Sequence, residues 1–202
     1  MTNAVALTER RSKVSKIYSL HDYLTREEIT IEKHEFYNGQ IIIMSNAKFY
    51  HNLIATNSAR AIGNAVEKLF KKYLVVGDGQ KIYIEAENIA VYPDALVICE
   101  KPVYFQNQKS LITNPLLIIE VLSASTKKYD SKIKFDLYKL LPSFKEYILI
   151  DTRKPSLETR FREEEDLWRI KTITGLETNL TLRALENVTI PMSSIYDNVE
   201  FE

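Results

Sequence analysis

The sequence predicts an α/β (α+β) fold, with a central mixed β-sheet flanked by helices and a β-rich C-terminal part. Three observations carry that expectation. Residues 50–72 and 129–141 place apolar side chains at helical spacing. Short runs rich in branched aliphatic and aromatic residues, at 73–76, 80–85, 95–99, 116–122 and 146–151, have the length and composition of strands. An Asn38-Gly39 pair between two apolar-rich runs marks a hairpin ahead of them. The order hairpin, helix, strands, helix, strands suits helices packed on a mixed sheet.

Taken in order, residues 1–16 read as a flexible leader, because Glu9, Arg10, Arg11, Lys13 and Lys16 oppose burial. Residues 17–202 read as one domain, with no linker, low-complexity tract or repeat dividing them. Ser19 can cap a short helix to about Arg26. In 32–45 the hairpin turns at Asn38-Gly39, since both residues tolerate the positive φ of a type I′ turn. The long helix over 50–72 puts Ile54, Ile62, Ala65, Val66, Leu69 and Phe70 on one apolar face. Pro142 stops the helix over 129–141. Beyond 146–151, the runs 157–162, 167–174 and 180–182 form the β-rich tail.

Composition bounds the function. The 202 residues carry 27 Lys+Arg against 27 Asp+Glu, a formal net charge of +0, so a grip on nucleic acid by bulk charge loses ground. Apolar runs such as 116–122, with Glu120 inside, are far too short to span a bilayer, so no membrane partner is expected. The single Cys99 excludes an internal disulfide and a thiolate-rich zinc site. A soluble, cytoplasmic protein is the expectation.

Two acids stand out. Asp94 follows Pro93 at the head of the apolar run 95–99, and Glu120 lies inside a run of buried-strand character. A buried carboxylate needs a cation, a set of hydrogen bonds or a proton. Two such acids on neighbouring strands would suit a hard divalent cation. Each taken alone also has a plain structural explanation: Asp94 as a turn cap, Glu120 as the partner of a core Lys or Arg.

A Pro-Asp followed some tens of residues later by an acid within an apolar strand resembles the PD-(D/E)xK nuclease superfamily. That pattern expects a lysine two residues after the second acid, where this chain has Leu122. The surrounding blocks sharpen the likeness: His34 through Ile41, Tyr50-His51-Asn52-Leu53-Ile54, Tyr92-Pro93-Asp94, Asn114-Pro115, Ile119 through Ser123, and Tyr129-Asp130 through Lys134-Phe135. Together they resemble the Uma-type "putative restriction endonuclease" family, from about Ser19 to the C-terminus, and so imply a restriction-endonuclease-like core.

The resemblance implies hydrolysis of DNA phosphodiester bonds. Asp94, Glu120 and the Val121 carbonyl would hold Mg²⁺ or Mn²⁺, with no nucleotide cofactor. The family draws its lysine from the following helix, which selects Lys134; on spacing alone Lys127, Lys128 and Lys132 are rivals. Asp130, Lys134 and Tyr138 share one helix face at four-residue spacing. Glu35 resembles an acid that such nucleases add from an early element, although it could equally be an exposed hairpin position. His51, Gln80, Asp130 and Lys132 are candidates for supporting the site or touching substrate. Gly79 departs from relatives that carry an acid there. Lysines between 127 and 139 offer phosphate contacts beside the site. A homodimer would place one site on each strand of a duplex, though no heptad pattern marks one. The competing expectation is a catalytically silent nuclease-fold module that binds nucleic acid or a protein.

Overall fold

The computed structural model describes residues 16–123 and 126–201. The expected leader lies outside the described residues except for Lys16, whose ammonium sits 5.0 Å from the Tyr18 ring centre. Helix α1 (Leu20–Ile29) runs three residues beyond the expected end. It opens with a reciprocal cap in which the Ser19 hydroxyl accepts from the Asp22 amide and Asp22 accepts from the Ser19 amide. The hairpin follows as β1 (His34–Tyr37) and β2 (Gln40–Ile43), with Asn38 and Gly39 both at positive φ.

Helix α2 (Phe49–Val66) ends six residues before the expected Lys72. The Leu69 amide bonds the Val66 carbonyl in a tight final turn. Phe70, expected on the apolar face, is fully exposed, and Lys68, Lys71 and Lys72 are exposed beside it. Helical spacing persists in the sequence there, but only Leu69 finds a core to pack against.

The strands β3 (Tyr73–Val76), β4 (Lys81–Ile84), β6 (Ala95–Cys99), β8 (Leu117–Leu122) and β9 (Glu146–Asp151) fall where the sequence put them, to within a residue at each end. Two short strands escaped the reading, β5 (Ile89–Val91) and β7 (Leu111–Ile112). So did β13 (Val188–Pro191) and the short α4 (Met192–Ile195) in the tail, which otherwise contains β10 (Ser156–Arg162), β11 (Trp168–Thr174) and β12 (Asn179–Leu182).

These strands form a five-stranded sheet, β2-β1-β5-β4-β7, a six-stranded sheet, β11-β10-β9-β8-β6-β3, and the β12-β13 pair. Both larger sheets are mixed, since β4 pairs β7 and β8 pairs β9 in parallel while their other pairs are antiparallel. The parallel pairing of β8 and β9 needs a crossover, and the helical segment over 127–138 supplies it.

Strand β8 is buried on both faces, so its side chains alternate between two cores. Leu117, Ile119 and Val121 face α2 and the tail, whereas Ile118 and Leu122 join Phe135, Tyr138, Phe144 and Tyr147. Period-two alternation places Glu120 on that second face. The tail is part of the core: Leu180, Leu182, Leu185 and Ile190 are buried under α2, and Asn57 Nδ2 donates to the carbonyls of Ile195 and Asp197. The chain crosses from one sheet to the other at Tyr92-Pro93-Asp94, between β5 and β6. That crossing positions the site.

Candidate active site

Where the two sheets meet, a cavity of about 1360 Å³ is lined by Glu35, His51, Asp94, Glu120, Asp130 and Lys134 among others. Five segments deliver them. Glu35 comes from β1, His51 from the first turn of α2, Asp94 from the sheet crossing, Glu120 from β8, and Asp130 and Lys134 from the helical crossover.

Asp94 is pinned by its neighbour strand: the Val121 amide donates to Asp94 Oδ2 at 2.6 Å, and His51 Nε2 lies 3.4 Å from the same oxygen. Its other oxygen, Oδ1, has no partner among the described residues. Glu120 is nearly fully buried, and Oε1 accepts from Lys134 Nζ at 3.1 Å and from the Tyr138 hydroxyl at 3.0 Å. Glu120 Oε2 likewise has no partner among the described residues. Among the described residues, each acid therefore commits one oxygen to the fold and has no hydrogen bond to the other.

Lys134 sits at the centre. Its buried ammonium donates to the Tyr92 carbonyl at 2.9 Å and lies 3.4 Å from Glu35 Oε1 and 3.6 Å from Asp130 Oδ1. Burial opposes its charge, but Glu120, Tyr138 and Glu35 outweigh it and hold the ammonium pKa well above the ordinary lysine range. Burial drives the Glu120 carboxyl well up, with Lys134 pulling it back. Burial also raises Asp130 against the pull of Lys134. For His51, burial opposes the charge, while Asp94, Asn52 and the Val121 carbonyl favour it and raise the pKa.

Glu35 is buried, so the exposed-hairpin alternative does not hold. Its Oε2 accepts from Tyr129 at 2.6 Å and Tyr37 at 3.0 Å, while Oε1 is buried without a hydrogen bond. The crossover explains the reach of Tyr129. Residues Tyr129–Lys134 form a wide π-type turn with i→i+5 spacing, and α3 (Phe135–Tyr138) continues it. In an α-helix, positions five apart point about 140° away from each other. The wider turn instead brings the Tyr129 ring to 5.5 Å from Lys134 Nζ while Asp130 remains beside it.

Other expected residues lie elsewhere. Gln80 does not line the cavity; its Nε2 donates to the carbonyls of Lys81 and Ser110 at the sheet edge. Lys132 is exposed and outside the lining, as are Lys127 and Lys128, because the turn that aims Lys134 inward sends them out. The lysine run is thus mostly solvated helix surface. Near Gly79, Asp78 supplies an acid at the cavity rim and pairs with Lys33 at 2.6 Å. The hydroxyls of Tyr37 and Tyr129 escaped sequence reasoning as site groups, whereas Tyr138 was expected on the Lys134 face. A signal was present: 12 tyrosines outnumber 8 phenylalanines, and buried acids need hydroxyl donors.

Comparison with known families decides the kinship. The model of the Uma2 family, described as "Putative restriction endonuclease", matches residues 20–193. The chain belongs to the Uma2 family. Two similar proteins of Synechocystis sp. are uncharacterized: one is 36% identical over 137 residues, 68% of this chain and 76% of the relative. The other is 31% identical over 160 residues, 75% of this chain and 78% of the relative. A crystal structure of a "putative nuclease belonging to DUF820" from Anabaena variabilis superposes with a TM-score of 0.67 at 14% identity, covering 89% of this chain and 97% of that one. The Uma2 chain therefore has a restriction-endonuclease-like fold.

The donor chemistry fits a hard divalent cation. Among the described residues, Asp94 Oδ1 and Glu120 Oε2 carry no hydrogen bond, and the Val121 carbonyl is near enough to His51 to favour its charge. No trio of His, Cys, Asp or Glu side chains among the described residues converges as a metal cluster. A pair of carboxylates completed by a carbonyl and water is the arrangement these residues can offer.

Proposed function

We propose that this Uma2-family chain is a metal-dependent endonuclease that hydrolyses phosphodiester bonds in DNA, with the Asp94–Glu120–Lys134 cluster as its active site. The observation that carries this reading is a buried lysine whose Nζ lies 3.1 Å from Glu120, in a cavity that Asp94 also lines. A Mg²⁺ or Mn²⁺ ion held by Asp94, Glu120 and the Val121 carbonyl would supply Lewis acidity and a more acidic bound water.

The chain's own residues account for the rest. The raised pKa keeps Lys134 protonated, so it has no lone pair to take a proton from water and acts as a fixed cation that orients the attacking water and steadies charge on the phosphoryl oxygens. The Tyr92 carbonyl and Glu120 set its direction. The Val121 amide and His51 hold one edge of Asp94, keeping the other turned to the cavity. Glu35, clamped by two tyrosines, balances the ammonium from the opposite sheet.

Supercoiled plasmid incubated with Mg²⁺ or Mn²⁺ tests the reading. The native chain is expected to nick it, and Asp94→Ala and Lys134→Ala to lose that activity by about 10²–10³-fold. Equal nicking by all three would assign the activity to a contaminant or to another site. Binding without cleavage by the native chain would favour the silent nuclease-fold module.

A further inference from the structure

The rim of the cavity is unlike a surface built to grip duplex DNA. Its cations are Lys33, Lys48, Lys134 and Arg153, against seven carboxylates in the same lining. Three of the four are already engaged: Lys33 with Asp78, Arg153 with Asp151, and Lys134 with the buried acids. Duplex binding depends on neutralising a series of phosphates with free Lys and Arg. Of the Lys and Arg side chains that line the cavity, among the described residues, only Lys48 lacks such a partner, and the exposed Lys128 and Lys132 stand outside the lining.

What the rim exposes is apolar. Ile31 is fully exposed, Phe49 is 73% exposed and Ile43 58%, and all three line the cavity together with Ile42. Ile42 pairs in register with Glu35 across β1 and β2, so the two side chains project from the same face of the hairpin. Phe49 opens α2 two residues before His51, and the neighbouring Tyr50 ring meets it edge-on at 5.4 Å. An open aromatic ring thus lines the same cavity as Asp94 and His51.

Resting on the nuclease reading above, we propose that the cleft takes single-stranded DNA, with bases laid on Phe49 and the isoleucine rim and the backbone phosphate directed to Asp94 and Lys134. A duplex turns phosphates outward and hides its base faces, so this rim would meet charge and lose water without a matching contact. A single strand offers base faces, which stack on aromatic side chains irrespective of sequence. Its binding draws somewhat less on each phosphate contact than a duplex does, with a salt slope of about −0.7 against −0.9 per neutralised phosphate.

The test uses a labelled 20-mer, as single strand and as duplex of the same sequence, in Mg²⁺, with cleavage and fluorescence anisotropy both read. The native chain is expected to cut and bind the single strand at least tenfold better. Phe49→Ala should weaken single-strand binding by about 5- to 150-fold, Phe49→Trp should retain it, and Phe70→Ala, at an exposed phenylalanine away from the cleft, should change nothing. Preference for duplex, or indifference to Phe49→Ala, overturns the proposal while cleavage itself upholds the nuclease reading. Phe49-dependent binding of the single strand without cleavage upholds the proposal's rim and removes the nuclease reading. Self-association that is lost in Phe49→Ala, with no DNA bound, overturns the proposal in favour of a protein contact.

Discussion

Lys134 concentrates the electrostatics of the site in one side chain. Replacing it with Met keeps the volume but leaves Glu120, Glu35 and Asp130 buried without their cation. Removing one partner of a buried ion pair costs about 3–5 kcal/mol, part of which protonation of Glu120 would relieve. Urea unfolding of Lys134→Met should show that loss, together with loss of nicking. Tyr129→Phe makes a finer probe, because it removes only the 2.6 Å bond to Glu35, and a loss of about 1–3 kcal/mol is expected in the same measurement. The two acids could be singled out in the sequence because a carboxylate within an apolar run is chemically conspicuous. Lys134 could not be chosen from its three neighbours by spacing, since the position two after Glu120 holds Leu122 and the choice turns on the shape of a helix. Glu35 was ambiguous for a related reason: alternation in a four-residue strand does not reveal what covers its face.

That helix shape is a property of an element. The π-type turn over Tyr129–Lys134 puts Tyr129 and Asp130 on the Lys134 face together, and wide turns of this kind recur at functional sites. Inserting one alanine after Ser131 would put Tyr129 six and Asp130 five residues before Lys134, positions that an α-helix turns about 120–140° away from it. Nicking should then fall to background while far-UV circular dichroism retains the helical content; retained activity would show that the placement of Tyr129 and Asp130 beside Lys134 is dispensable. Elements with long, uniform patterns were legible: β8 and β9 from their continuous apolar runs, the hairpin from Asn38-Gly39, and α1 from its capping serine. Strands of two or three residues, such as β5 and β7, carry too few positions for a period to show. The end of α2 was misplaced because apolar spacing continues past Val66 although the core does not.

At the scale of the whole molecule, the tail is tied to the central sheet through a buried acid remote from the proposed chemistry. Glu146, at the start of β9, accepts the Ala184 amide at 2.8 Å through Oε2, while its Oε1 is buried without a partner. Burial pushes its pKa up to about 7, against the amides of Ala184 and Arg183, which favour the carboxylate. Between the unfolded pKa of about 4.5 and this raised value, the folded chain binds the extra proton, so stability falls as pH rises through that window. A shift of this size corresponds to about 3 kcal/mol, fully felt only above the folded pKa. His51, with its raised pKa, slopes the same way, so the group is isolated by comparison with Glu146→Gln, which keeps an acceptor for the Ala184 amide and cannot ionise. Urea unfolding at pH 5 and pH 8 should show a smaller loss of stability with rising pH in the variant. The variant should also be the more stable of the two at pH 8, by up to about 3 kcal/mol. Equal slopes in both proteins would mean that Glu146 stays ionised in the folded chain and that another group sets the pH dependence.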